Sequence, residues 1–173
     1  MEKEIQKTQF FSPTKGNLIL EQVIKEIFNY LKEKPQNFYD IVVGCDSSSG
    51  ENISFPVAIV VLRVGFGGRF FLKIVKHPKS FSKRFQNIHQ RVLNEILISC
   101  EIALDLREAL EKKFQESLEK FNYQFRYIHA DIGEGGKTKD MIKEVVGLIK
   151  SNGFEAKIKP EAFAASVVAD RYT

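Results

Sequence analysis

Asp46 and Asp131 are the residues whose type and setting invite chemistry. Each stands where an apolar run ends. Asp46 closes Tyr39-Asp40-Ile41-Val42-Val43-Gly44-Cys45 and is followed by Ser47-Ser48-Ser49-Gly50, while Asp131 closes Phe125-Arg126-Tyr127-Ile128-His129-Ala130. β-Branched and aromatic residues bounded by small turn formers read as buried strands. A carboxylate at such a place is costly to desolvate unless a metal ion, a basic side chain or backbone donors meet it. Two strands that each bring a carboxylate to one sheet are the start of a metal site.

The elements that would position these acids follow from the hydrophobic pattern. Val23, Ile24, Ile27, Phe28 and Leu31 recur at helical spacing between Leu20 and Lys34, and Pro35 stops the run. Three strands come next, over residues 40–46, 54–65 and 69–76, with Gly65-Phe66-Gly67-Gly68 as a turn; their short connections predict an antiparallel meander. A long helix, capped by Ser80 or Ser82, runs to about Lys120 with room for a break. A strand over 125–130, a turn at Gly133-Glu134-Gly135-Gly136, a helix over 138–150, a strand over 154–159 and a short helix over 161–170 complete the chain. Strands separated by helices pair in parallel. The expectation is one α/β domain over residues 1–173: a mixed five-stranded sheet, three strands antiparallel and two parallel, helices on its faces, and an extra N-terminal helix near 20–34.

Composition sets the class. The chain has 173 residues, 43% hydrophobic and 28% charged, enough for one domain with a real core. No apolar stretch reaches membrane-spanning length, and Met1–Lys7 is polar and lacks a signal-peptide core. Cys45 and Cys100 lie in apolar segments outside any CxxC and read as small buried hydrophobes. A cytoplasmic protein is expected. The net charge of +4 hides a sharp asymmetry. From Asn52 to Asn94 there is no Asp or Glu, whereas Arg63, Arg69, Lys73, Lys76, Lys79, Lys83, Arg84 and Arg91 are all present. Such a one-sided segment suits a polyanion. Between Glu95 and Glu119 the sign reverses.

The order of elements matches the ribonuclease H-like fold. Val43-Gly44-Cys45-Asp46-Ser47, His129-Ala130-Asp131-Ile132-Gly133, Gly136-Lys137-Thr138-Lys139, Ile158-Lys159-Pro160, Ala164-Ala165-Ser166 and Ala169-Asp170-Arg171-Tyr172 together resemble the bacterial YkuK-like ribonuclease H family, over about Phe10 to Thr173. Cys45 stands where a Thr is more usual in that family. The resemblance implies four metal-binding acids: Asp46 on the first long strand, one acid on the long helix, Asp131, and Asp170 on the last helix.

Glu95 and Glu101 are the candidates for the helix acid. The ridge from Glu95 carries Ser99, Ile102, Ala103 and Leu106, small and apolar enough to press on a sheet. Glu101 shares its ridge with Asp105 and Glu108, a solvated face. Glu95 is therefore favoured. A set of carboxylates repels itself without a cation, and all-oxygen ligands select Mg²⁺ or Mn²⁺. Two such ions about 4 Å apart activate water and stabilise a leaving phosphodiester oxygen. The expectation is a metal-dependent nuclease with Asp46, Glu95, Asp131 and Asp170 as catalytic metal ligands. The nucleic-acid backbone, RNA or DNA, would be held by Lys73, Lys76, Lys79, Lys83, Arg84 and Arg91. Rival readings are a non-catalytic nucleic-acid-binding module or an interaction scaffold on the same fold.

Auxiliary roles attach to three further residues. His129 shares a strand face with Asp131 and is placed to orient a water or phosphate, or to serve as a hydrogen-bonded core residue. Lys137 and Thr138 follow a glycine-rich turn at a predicted helix N-terminus, as an anion contact or as a cap with a solvated lysine. The same turn lacks P-loop spacing, since Asp131 stands where the first glycine belongs.

Overall fold

The computed structural model describes residues 9–173, and the polar opening Met1–Lys7 lies outside them. A hairpin, β1 (Gln9–Ser12) and β2 (Gly16–Ile19), leads into helix α1 (Leu20–Glu33). Then come β3 (Tyr39–Cys45), β4 (Ser54–Arg63), β5 (Gly68–Lys76), helix α2 (Ile88–Ser117) and β6 (Tyr123–Ala130). Helix α3 (Ile142–Ser151), β7 (Glu155–Lys157), a π-helical segment (Ala164–Ala169) and a 3-10 turn (Asp170–Tyr172) follow.

The sheet has seven strands, in the order β2-β1-β5-β4-β3-β6-β7, and corrects the expected five. The two additional strands extend one edge: β1 pairs with β5 through Phe11↔Leu72 and with β2 in antiparallel register. The central pattern is as anticipated. β3, β4 and β5 form an antiparallel meander, and β3–β6 and β6–β7 are parallel.

Alternating side chains divide the core. Ile41, Val43, Cys45, Ile128 and Ala130 join the large core under α1 and α2, with Val23, Ile27 and Leu31 of α1 and Ile96, Ala103 and Leu106 of α2. Val42, Ala58, Val60 and Leu72 point to the other face and pack on Ala164 and Ala169. Both cysteines are buried and free. Gly44 lets the C-terminal segment approach: a Cβ there would meet Ala165 N at 2.6 Å and the Ala164 carbonyl carbon at 2.9 Å.

Several boundaries move. The long helix is unbroken, because 3-10 turns (Lys79–Phe81 and Arg84–Gln86) precede it. Its cap is Asn87, whose side chain accepts from Gln90 N–H, in place of Ser80 or Ser82. The helix expected from Thr138 begins as a 3-10 turn (Lys139–Met141) and becomes α-helical only at Ile142. Among the described residues no helix is long and apolar enough to cross a membrane.

Candidate metal centre

The parallel pairing Cys45↔Ala130 sets the ends of β3 and β6 side by side, so Asp46 and Asp131 leave the sheet as neighbours. By strand alternation both belong to the face carrying Val42, Gly44 and His129, where the C-terminal segment brings Asp170. The Asp170 carboxyl lies close enough to that of Asp46 to push it up. Glu95 comes from α2, on the opposite face. It is 4% exposed, and Ser47, the residue after Asp46, turns to that face and donates through Oγ to Glu95 Oε1. The backbone N–H of Ser47 donates to Asp46 Oδ1 at 2.9 Å.

The electrostatics are those of acids brought together with little compensation. Burial, followed by the charges of Asp131 and Asp170, pushes the Asp46 carboxyl up to about 7. Burial is also the main cause for Glu95, reinforced by Asp46 and Asp131 and opposed by Ser47 and Arg91; its carboxyl rises to about 8. The Cys45 thiol is held well above its ordinary range by burial and then by Glu95 and Asp46. Asp131 Oδ1 is buried with no hydrogen-bond partner among the described residues. Its other oxygen, Oδ2, receives Lys159 Nζ at 3.0 Å.

Lys159 is a site residue that the reasoning from sequence missed. Its backbone is fixed beside β6 by Lys159 N–H donating to Ile132 O at 2.8 Å, and its Cβ would lie 3.1 Å from a Cβ placed on Gly133. The available signal was a lysine ending a strand predicted to be parallel to the Asp131 strand.

The other predicted residues disperse. Glu101 is exposed on α2, where it and Asp105 act on Lys73. Lys73 thus lies against the acidic ridge, and its ammonium is 6.0 Å from the Phe10 ring centre, apart from the other cations proposed with it. Lys76, Lys79, Lys83 and Arg84 are exposed, and Arg91 is half-buried near Glu95. His129 is fully buried: Nδ1 accepts from Ala164 N–H at 3.1 Å, and the ring meets Phe163 edge-on at 4.6 Å. Burial, helped by Lys157, lowers it to about 4, so it is neutral with the proton on Nε2. Lys137 is exposed and Thr138 makes no side-chain cap, and the three-residue 3-10 turn after them replaces the helix N-terminus on which the anion contact depended. Tyr172 packs 6.1 Å from the Phe70 ring.

The family model described as Ribonuclease H-like matches residues 22–173. The chain belongs to the ribonuclease H-like family. It is also 27% identical over 169 residues to "Uncharacterized protein YkuK" of Bacillus subtilis (strain 168), an alignment covering 95% of this chain and 96% of the relative. No solved structure is significantly similar to it. Asp46 and Asp131 directly follow β3 and β6, Glu95 lies on α2, and Asp170 opens a 3-10 turn after the π-helical segment, where a last helix was expected. Among the described residues no three His, Cys, Asp or Glu side chains are gathered closely enough to form a finished ligand set; Ser47 and Lys159 hold Glu95 and Asp131 individually.

Proposed function

We propose that this protein is a divalent-metal-dependent phosphodiester hydrolase acting on nucleic acid, with Asp46, Glu95, Asp131 and Asp170 as its metal ligands. The observation that carries the reading is the pairing of two carboxyls raised to about 7 and about 8 with an unpartnered buried carboxylate oxygen on Asp131. Buried acids without cations are costly, and this all-oxygen set fits Mg²⁺ or Mn²⁺. When bound, the ions supply a hydroxide nucleophile at neutral pH and neutralise charge on the reacting phosphodiester.

The chain's own residues do the positioning. Asp46, next to both Asp131 and Asp170 and held at Oδ1 by the Ser47 N–H, would be the central ligand of a two-metal carboxylate mechanism. Glu95 reaches the cluster from α2, oriented by Ser47 Oγ. Lys159, released from Asp131, is free to approach a substrate phosphate. The segment Lys76–Arg91, which contains no acid, binds the nucleic-acid backbone through charge.

The test is hydrolysis of labelled single-stranded, duplex and hybrid oligonucleotides with Mg²⁺ or Mn²⁺, wild type beside Asp46→Asn. Cleavage that disappears in Asp46→Asn is expected. Equal cleavage by both would remove Asp46 from the mechanism, and salt-sensitive binding without cleavage would favour a non-catalytic binding module.

A further inference from the structure

Four aromatic rings gather where the 3-10 turns before α2 meet β4 and the end of β5. Phe55 and Phe85 are buried, His77 is half-buried and Phe81 is 41% exposed. The His77 ring lies 5.3 Å from Phe55, 5.0 Å from Phe85 and 6.0 Å from Phe81, and Phe81 lies nearly parallel to Phe85, at 22°. The inner rings anchor the 3-10 turns to β4. Phe81 has no such need to be aromatic, since much of its ring faces water. Next to the rings opens a cavity of about 440 Å³, lined by Glu51, Asn52, Lys76, His77, Lys79 and Phe85, with Phe81 outside that lining. That volume falls within the roughly 300–1,000 Å³ of small-ligand pockets. A cavity of about 690 Å³ between α1 and the C-terminal half of α2 shares no residue with the acid cluster.

Charge and connectivity identify the occupant. Among the described residues no carboxylate pairs with Lys76, Lys79, Lys83 or Arg84. The loop between β3 and β4 joins this cavity to the acids: at one end Ser47 bonds Glu95, and at the other Glu51, Asn52 and Ile53 line the cavity. Gln86 Nε2 donates to Gly50 O at 3.1 Å and ties the 3-10 turns to the same loop. A strand with one phosphate at the acids would therefore carry a neighbouring base towards the rings. A base inside a duplex offers no free face, whereas an unpaired base stacks on aromatic rings while cations track its backbone.

We propose that the exposed Phe81 ring, beside this cavity, is a base-stacking platform, that Lys76 and Lys79 along the cavity hold the adjoining backbone, and that the site takes single-stranded nucleic acid. The proposal rests on the nuclease reading for the position of the reacting phosphate, but the binding can be measured without turnover. Fluorescence anisotropy in chelator compares a labelled oligothymidylate of about 16 nucleotides, the upper end of common single-strand site sizes, with a blunt duplex of equal length. Wild type is expected to bind the single strand more tightly. Phe81→Ala should weaken that binding roughly tenfold, the scale of one lost stack, with little effect on the duplex, and Phe81→Tyr should restore it. Lys79→Gln with Lys83→Gln should flatten the salt dependence for both ligands. Unchanged single-strand affinity in Phe81→Ala, or tighter binding of the duplex by wild type, would overturn the platform even if Asp46-dependent cleavage is found. Phe81-dependent binding without any cleavage would uphold the platform and defeat the nuclease reading.

Discussion

Lys159 Nζ stands 3.0 Å from Asp131 Oδ2, so the chain itself supplies one positive charge to its cluster of acids. The Lys159 side chain is half exposed, whereas its backbone is anchored at Ile132. A divalent ion entering the cluster competes with that ammonium for the same oxygen. Lys159→Met should therefore tighten Mn²⁺ binding by about two- to fivefold, the range of a partly exposed ion pair. Titration calorimetry reads this directly, and weaker binding in the variant would contradict the competition.

The helix acid can be assigned by contrast. Glu95→Gln should abolish most Mn²⁺-induced thermal stabilisation and lower kcat/KM by roughly 10²-fold, the scale of losing a preorganised electrostatic group. Glu101→Gln, on the exposed ridge, should leave both unchanged. The reverse pattern would move the ligand to Glu101.

Stability in chelator should fall as pH rises from 6.5 to 8.5. The folded pKa of Glu95 is raised to about 8 and that of Asp46 to about 7, so above their unfolded values the native state holds more protons and loses stability as each ionises. His129, lowered to about 4, works in the opposite sense, but only below about pH 6.5, where the unfolded imidazole gains its proton. Over the chosen window Glu95 alone accounts for on the order of 2 kcal/mol, a fall in Tm of about 4–8 °C. Calorimetric scans across pH check this. Mn²⁺ and Glu95→Gln should each flatten the slope, and a slope unchanged by Glu95→Gln would contradict the assignment.

Gly44→Ala should destabilise the protein by about 1–3 kcal/mol, since its methyl would overlap the backbone at Ala164 and Ala165. Because that contact seats the segment bearing Asp170, Mn²⁺ affinity should fall as well. Urea unfolding followed by a Mn²⁺ titration separates the two effects.

Much of this arrangement is legible in the chain. Asp46 and Asp131 announce themselves because a charge ending an apolar strand is rare, and Glu95 because its i+4 and i+7 neighbours, Ser99 and Ile102, suit a buried ridge. The hairpin Gln9–Ile19 escaped because four-residue strands hold too little alternation, although Phe10-Phe11 and Leu18-Ile19 flank a Pro-Thr-Lys-Gly turn. Lys159 escaped for a different reason. Its meeting with Asp131 depends on the lateral register of β6 and β7, and no local periodicity encodes that. The π-helical form of residues 164–169 likewise answers to packing on Gly44 and His129, not to helix propensity.

The acids do not all approach from one side. Glu95 reaches the end of β3 from the α2 layer, and Asp170 from the thin layer on the other face of the sheet. The cluster is thus a coincidence detector for tertiary assembly. A molecule in which the C-terminal layer has lifted away would keep its large core and its far-ultraviolet spectrum, yet would already have lost Asp170 from the cluster.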